Sequence, residues 1–137
     1  MTLYVPEVGE EHMLQKILNQ TLKLKLFSNN HTPAAGDTVS SLTEVSGGGY
    51  AAVTLTYANW TIAGGDPGVA LYGSFQSFSF TGATSGPGTI YGYYVTTDDE
   101  LTLLWEERFP ADDVPFTPIN GSLINVRPRL TLNDATD

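Results

Sequence analysis

A chain of 137 residues is long enough for one domain with a core of its own, and the absence of cysteine excludes disulfides, thiolate metal sites and thiol nucleophiles. Six Lys plus Arg stand against fifteen Asp plus Glu, a net charge of −9, so the basic footprint needed for nucleic acid or an anionic membrane is missing. No apolar run approaches the ~20 residues of a membrane-spanning helix.

Met1–Glu10 has neither a basic start nor the apolar stretch of a secretory signal, so the expectation is a protein made and folded in a cytoplasm. Residues 1–8 read as a short, extended arm, because Pro6 biases Val5 away from helix. The arm is either a terminal strand on its own sheet or an apolar segment that reaches a neighbouring subunit. Gly9–Gln20 is the one convincing helix, with Gly9 as its N-cap and Glu10 and Glu11 at the positive end of the dipole. Its apolar stripe is Met13, Leu14, Ile17 and Leu18. A helix this short must pack that stripe on a sheet or on another chain. Leu3, Tyr4, Val5, Met13 and Ile17 are accordingly the candidate subunit-interface residues.

Thr21–Ser28 alternates, with Leu22, Leu24 and Leu26 facing one way and Lys23 and Lys25 the other. This pattern predicts a half-buried strand whose lysines guard an exposed edge. Asn29–Asp37 is a loop with one histidine and one aspartate, too few for a metal site. Gly47–Gly49 reads as a flexible hinge or bulge, since it lacks the Lys and Ser/Thr of a phosphate loop. Tyr50–Ile62 is predicted as a strand ending near Trp60, followed by the Ala63–Gly68 turn. Val69–Thr81 carries Phe75, Phe78 and Phe80 among serines, and the Ser-Phe alternation at Ser77–Phe80 predicts a strand with one face buried.

Thr89–Phe109 reads as the central hairpin of an antiparallel sheet, with acidic turn formers between aromatic and β-branched arms. A two- or four-residue loop at Thr97–Glu100 pairs Gly92 with Trp105 and Tyr94 with Leu103, and the indole then covers the bare glycine. A three-residue loop instead puts Tyr91, Tyr93 and Val95 on the face of Leu101, Leu103 and Trp105. The first register is the one expected here. It puts Trp105 in the core, while Trp60 lies at a loop end. Asp112 and Asp113 sit in a proline-rich loop and read as solvated. Ser122–Leu132 is the last strand, and Pro128 makes it an edge or bulged strand.

Six or seven strands, one short helix and glycine or proline turns predict a mainly β fold, an antiparallel β-sandwich or jelly-roll-like barrel. No catalytic constellation stands out. Glu106 and Glu107 are adjacent and face opposite sides of a strand, so they cannot act as a facing acid/base pair. No cofactor or metal site is expected.

Four pieces of the chain resemble small tailed-bacteriophage virion proteins such as the head decoration or cement proteins of cyanophages. They are Val5-Pro6…Gly9-Glu10…Leu14…Ile17-Leu18, then Leu24-Lys25-Leu26-Phe27-Ser28-Asn29, then Gly49-Tyr50…Leu55…Trp60, and Tyr91-Gly92-Tyr93-Tyr94-Val95 with Leu103-Leu104-Trp105…Phe109. The resemblance implies a non-enzymatic, β-rich subunit, commonly trimeric, seated on a virion shell of major capsid protein. The competing expectation is a receptor- or carbohydrate-binding domain of a tail, fibre or lectin, with Trp60 or Tyr72 exposed to stack on sugar rings.

Overall fold

The structure, a computed structural model, describes residues 3–65 and 67–132. It is mainly β, consistent with a β-sandwich, with nine strands and one α-helix among the described residues. In chain order these are α1 (Glu7–Leu18), β1 (Leu22–Phe27), β2 (Val53–Leu55), β3 (Trp60–Ala63), β4 (Gly68–Tyr72), β5 (Gln76–Ser79), β6 (Gly92–Thr97), β7 (Leu103–Arg108), β8 (Leu123–Val126) and β9 (Arg129–Leu132). The chain divides into two compact units. One comprises Met1–Thr21, Thr56–Gln76 and Val126–Asp137, and the other Leu22–Leu55 and Ser77–Asn125.

The first unit is built on the antiparallel order β3-β4-β9, with α1 packed against all three strands. The helix starts earlier than its sequence suggests. Pro6, not Gly9, is the N-cap, and its carbonyl accepts the N–H groups of Gly9 and Glu10. The buried face also differs from the predicted stripe. Leu14 and Leu18 are fully buried, but Met13 is exposed and Ile17 only half-buried. The third buried position is Glu10, one turn before Leu14, whose Oε2 accepts the Gly65 N–H at 3.2 Å. A carboxylate with a donor is tolerable inside, and the first turn of a helix favours its charge. Residues 3–6 form no strand, so the terminal-strand alternative does not hold for them.

Trp60 is buried in this unit, not exposed at a loop end. It stands opposite Tyr72 across β3 and β4, with the two rings edge to face at 5.0 Å and 74°. The Tyr72 hydroxyl accepts the Thr56 N–H at 3.0 Å and the Asn59 amide at 3.1 Å, which holds the turn before β3. Pro128 splits the predicted last strand into β8 and β9, and β9 lies at a sheet edge as expected.

The second unit is organised on the four-stranded order β2-β1-β6-β7, with the pair β5-β8 beside it in sequence as a separate sheet. β1 is therefore a central strand and not an edge. It pairs antiparallel with β2 from Leu22 to Leu24 and with β6 along its whole length. Leu22, Leu24, Leu26 and Phe27 are fully buried, and Lys25 is 4 % exposed. The Lys25 ammonium lies 2.5 Å from Glu100 and 3.2 Å from Glu44, each a charge-assisted contact. Burial alone pushes this amine down, but Glu100 and Glu44 outweigh it and hold Lys25 above its ordinary value. Glu44 also accepts the Tyr50 hydroxyl at 3.0 Å, which ties a third segment to the strand.

The hairpin β6-β7 does not adopt the expected register; from Gly92 to Val95 it follows the alternative, with Tyr93 and Val95 on the face of Trp105, and only a bulge takes Leu103 off that face. Gly92 pairs with Arg108, Tyr94 with Glu106 and Val95 with Trp105, and a bulge then resets the pairing to Thr96 with Leu103. The aromatic over Gly92 is Phe27 from β1 and not Trp105. A Cβ on Gly92 would lie 2.6 Å from the Phe27 ring and would also strike the Glu107 carbonyl oxygen. The bulge splits β7 between the two sheet faces. Leu103 packs with Phe27, Leu42 and Tyr94, whereas Trp105 and Glu107 fall opposite Val95 and Tyr93. β7 is an edge strand, and Trp105 is only half-buried.

Gly47–Gly49 is an ordered left-handed run, with φ of 73°, 61° and 82°, and not a flexible hinge. Its backbone sits against residues 81–85, where Thr81 N–H meets the Gly48 carbonyl at 2.8 Å and Ser85 N–H meets the Ser46 carbonyl at 2.7 Å. Side chains at these positions would meet both strain and backbone atoms.

The burial of the two tryptophans reverses the order of importance read from the sequence. Trp60→Ala is expected to cost about 3–5 kcal/mol, and Trp105→Ala no more than about half of that, because part of its surface is already wet. Urea unfolding of both variants by circular dichroism checks this. A Trp105→Ala protein less stable than Trp60→Ala would contradict the placement of both rings.

Candidate functional site

The second unit brings together three side chains that are far apart in sequence. The loop after β1 carries His31 and Asp37, and β7 carries Glu106. The loop is closed locally by Asn29, whose side chain accepts the Thr43 N–H at 2.9 Å and donates to the Ser41 carbonyl at 3.0 Å. It is pinned to β7 by Arg108, whose Nη1 donates to the His31 carbonyl at 2.9 Å. The Arg108 guanidinium lies over the Tyr91 ring, 5.0 Å from its centre. The bulge sets which residues of β7 face the loop. With Tyr94 opposite Glu106, the carboxyl group points to the loop, while neighbouring Glu107 turns to the other face and accepts the Tyr93 hydroxyl at 2.6 Å. The two glutamates thus serve different partners, as their adjacency on a strand requires.

His31 Nε2 lies 2.6 Å from Asp37 Oδ2, and that oxygen also accepts the Ala34 N–H at 2.8 Å. One ligand atom from each of His31, Asp37 and Glu106 lies within 4.8 Å of the others, and all three residues are half-buried. Glu106 Oε2 is buried and receives no well-aligned hydrogen bond. Contacts from His31 first, then from Glu106 and the Ala34 N–H, hold the Asp37 carboxyl down to about 2. Burial, followed by the adjacent Asp37, pushes the Glu106 carboxyl up to about 7. This is the behaviour of two carboxyl groups that share a proton, in which like charges cannot both ionise at low cost.

The expectation that this loop falls short of a metal site counted only His31 and Asp37. The third donor lies on the hairpin, and only the bulged register turns it to the loop. The candidate interface residues lie elsewhere, in the first unit. Leu3, Tyr4 and Met13 are 67 %, 80 % and 45 % exposed, and Val5 and Ile17 are half-buried. Val8, which the sequence reading passed over, is 75 % exposed.

A separate open groove of about 440 Å³ in the second unit is lined by Phe109, Asp112, Asp113, Phe116, Leu123 and Asn125, among others. Trp60 and Tyr72, the expected sugar-stacking rings, are both buried and take no part in it. No helix among the described residues is long and apolar enough to cross a membrane. No family model, no curated protein and no solved structure matches this chain.

The carboxyl pair gives a pH dependence of known sign. Glu106 has a folded value above its ordinary 4.5, so its contribution to stability is present below that value and fades as pH rises to about 7. Asp37 has a folded value below its ordinary 3.8, so its contribution is present above 3.8 and fades as pH falls towards about 2. Glu106→Gln keeps a neutral donor beside Asp37 and removes the first of these effects. In EDTA, wild type is therefore expected to lose stability relative to Glu106→Gln between pH 4.5 and 7. Parallel urea midpoints for the two proteins across that window would rule out the shared proton.

Proposed function

We propose that the protein is a non-catalytic virion subunit of a tailed bacteriophage, a decoration or cement protein that self-associates as a homotrimer and seats on a shell of major capsid protein. The observation that carries the reading is the exposed apolar segment of the first unit. Leu3 and Tyr4 on the arm, with Val8 and Met13 on α1, present large side chains to solvent. Burying such a side chain contributes roughly 1.5–3 kcal/mol, so a few of them suffice to drive docking on a protein surface. The sequence pieces quoted above supply the virion setting and the trimer. The acidic balance, with no basic footprint, suits a protein partner better than nucleic acid.

The groove beside Phe109 and Phe116 supports a second reading, a receptor- or carbohydrate-binding domain of a tail or fibre. Two aromatic rings with Asp112, Asp113 and Asn125 at hand could stack on a sugar and accept its hydroxyl protons. Retention of a glycan on an array by wild type and its loss in Phe116→Ala would favour this reading.

Light scattering at micromolar concentration tests the first reading. Wild type is expected to scatter with the mass of a trimer. The double change Leu3→Ser and Tyr4→Ser is expected to give a folded monomer that no longer cosediments with capsid shells. A wild-type monomer that adds to no shell contradicts the proposal.

A further inference from the structure

We propose that His31, Asp37 and Glu106 form a binding site for a divalent transition-metal ion, of the Zn²⁺ or Mn²⁺ class, that ties the 29–37 loop to the edge strand β7. The site is independent of the docking segment and of the groove. Its donors are one imidazole nitrogen and two carboxylate oxygens within 4.8 Å of one another. Three protein donors plus water is a common set for an open zinc site, and the mixture of imidazole and carboxylate suits Zn²⁺ and Mn²⁺. Calcium takes six to eight oxygen donors, and this site offers an imidazole in place of several of them.

Two features of the surroundings point to a cation. The first is Glu106 Oε2, which is buried and receives no well-aligned hydrogen bond, with the Asp37 carboxyl as its neighbour. A buried carboxylate oxygen without such a bond is costly, and a metal bond removes that cost. The second is the support behind the donors. The Ala34 N–H holds Asp37 Oδ2, and the Arg108 side chain holds the His31 carbonyl, so both loop ligands are oriented by contacts of their own. The two carboxylates supply the negative charge that a divalent ion neutralises. Arg108 is the neighbouring fixed cation, and it is directed to a backbone carbonyl and to the Tyr91 ring.

The geometry needs one small adjustment. His31 Nε2 and Asp37 Oδ2 are 2.6 Å apart. Tetrahedral ligation at the usual bond lengths separates two donors by about 3.3 Å, an opening that side-chain rotation supplies. The ion would then replace the direct histidine–aspartate contact and reach Glu106 in the same step.

The test uses the full chain without a histidine tag, stripped with EDTA and dialysed. Titration calorimetry with ZnCl₂ is expected to show one saturable site per chain, and thermal unfolding to rise with added ion. Co²⁺ is expected to give visible absorption bands of a low-coordinate site. His31→Ala, Asp37→Asn and Glu106→Gln should each weaken Zn²⁺ binding by more than about tenfold, since loss even of an outer-shell partner commonly costs that much. Asp37→Asn and Glu106→Gln keep side-chain shape and guard against loss of fold as the cause. His12, the other histidine, lies exposed on α1, and His12→Ala should leave binding unchanged. Absence of a saturable Zn²⁺ site overturns the proposal. So does binding that survives His31→Ala and Glu106→Gln and disappears in His12→Ala.

Discussion

The second unit depends on one buried charge. Lys25 sits in the middle of a strand whose other inward side chains are leucine and phenylalanine, and its ammonium reaches Glu44 and Glu100. An unpaired ammonium in that position would cost several kcal/mol. The clamp is therefore a registration device as well as an ion pair. Glu44 comes from the segment before β2, and Glu100 from the tip of the β6-β7 turn, where it takes a left-handed φ of 64°. A slip of β6 along β1 would pull Glu100 away from the lysine and move Gly92 from under the Phe27 ring. Register and charge pairing thus enforce each other.

From that register follows the position of Glu106. The bulge between Val95 and Thr96 puts Leu103 into the core formed by Phe27, Leu42 and Tyr94, and it leaves Glu106 opposite Tyr94, turned to the loop that carries His31 and Asp37. Without the extra residue, Leu103 and Trp105 would share a face, and Glu106 would change sides. The acid–histidine cluster is in this sense a consequence of packing the hairpin on β1. The exposed apolar arm belongs to the other unit and answers to a different constraint. α1 has only its Glu10, Leu14 and Leu18 side occupied by sheet, which leaves Val8 and Met13 in solvent.

Local pattern made some of this legible. The Leu22, Leu24 and Leu26 alternation, the single helix near residue 10, the interruption at Pro128 and the antiparallel β class were all readable, because each rests on neighbours in sequence. What the pattern missed depends on partners far along the chain. Lys25 looked exposed because its alternation with leucines is also that of an edge strand, and nothing local tells of Glu100 seventy-five residues on. Trp60 looked peripheral because a turn follows it closely, yet Tyr72 covers it from β4. The predicted cover for Gly92 was the right device with the wrong ring, since Phe27 competes for the same place. The His31, Asp37 and Glu106 cluster was out of reach for the same reason. One histidine and one aspartate in a loop are unremarkable until the bulge delivers a third donor.

The most direct test of this account is amide hydrogen exchange in the second unit. If β1 and β6 are its centre and Lys25 is locked between them and the two glutamates, the amides of Leu24, Lys25, Leu26 and Val95 should be the slowest to exchange. They should exchange only through unfolding of the whole unit, well after those of the edge strand β7. Exchange of the β1 amides as fast as those of the Asp98–Leu101 turn would contradict it, and would place the organising strand elsewhere.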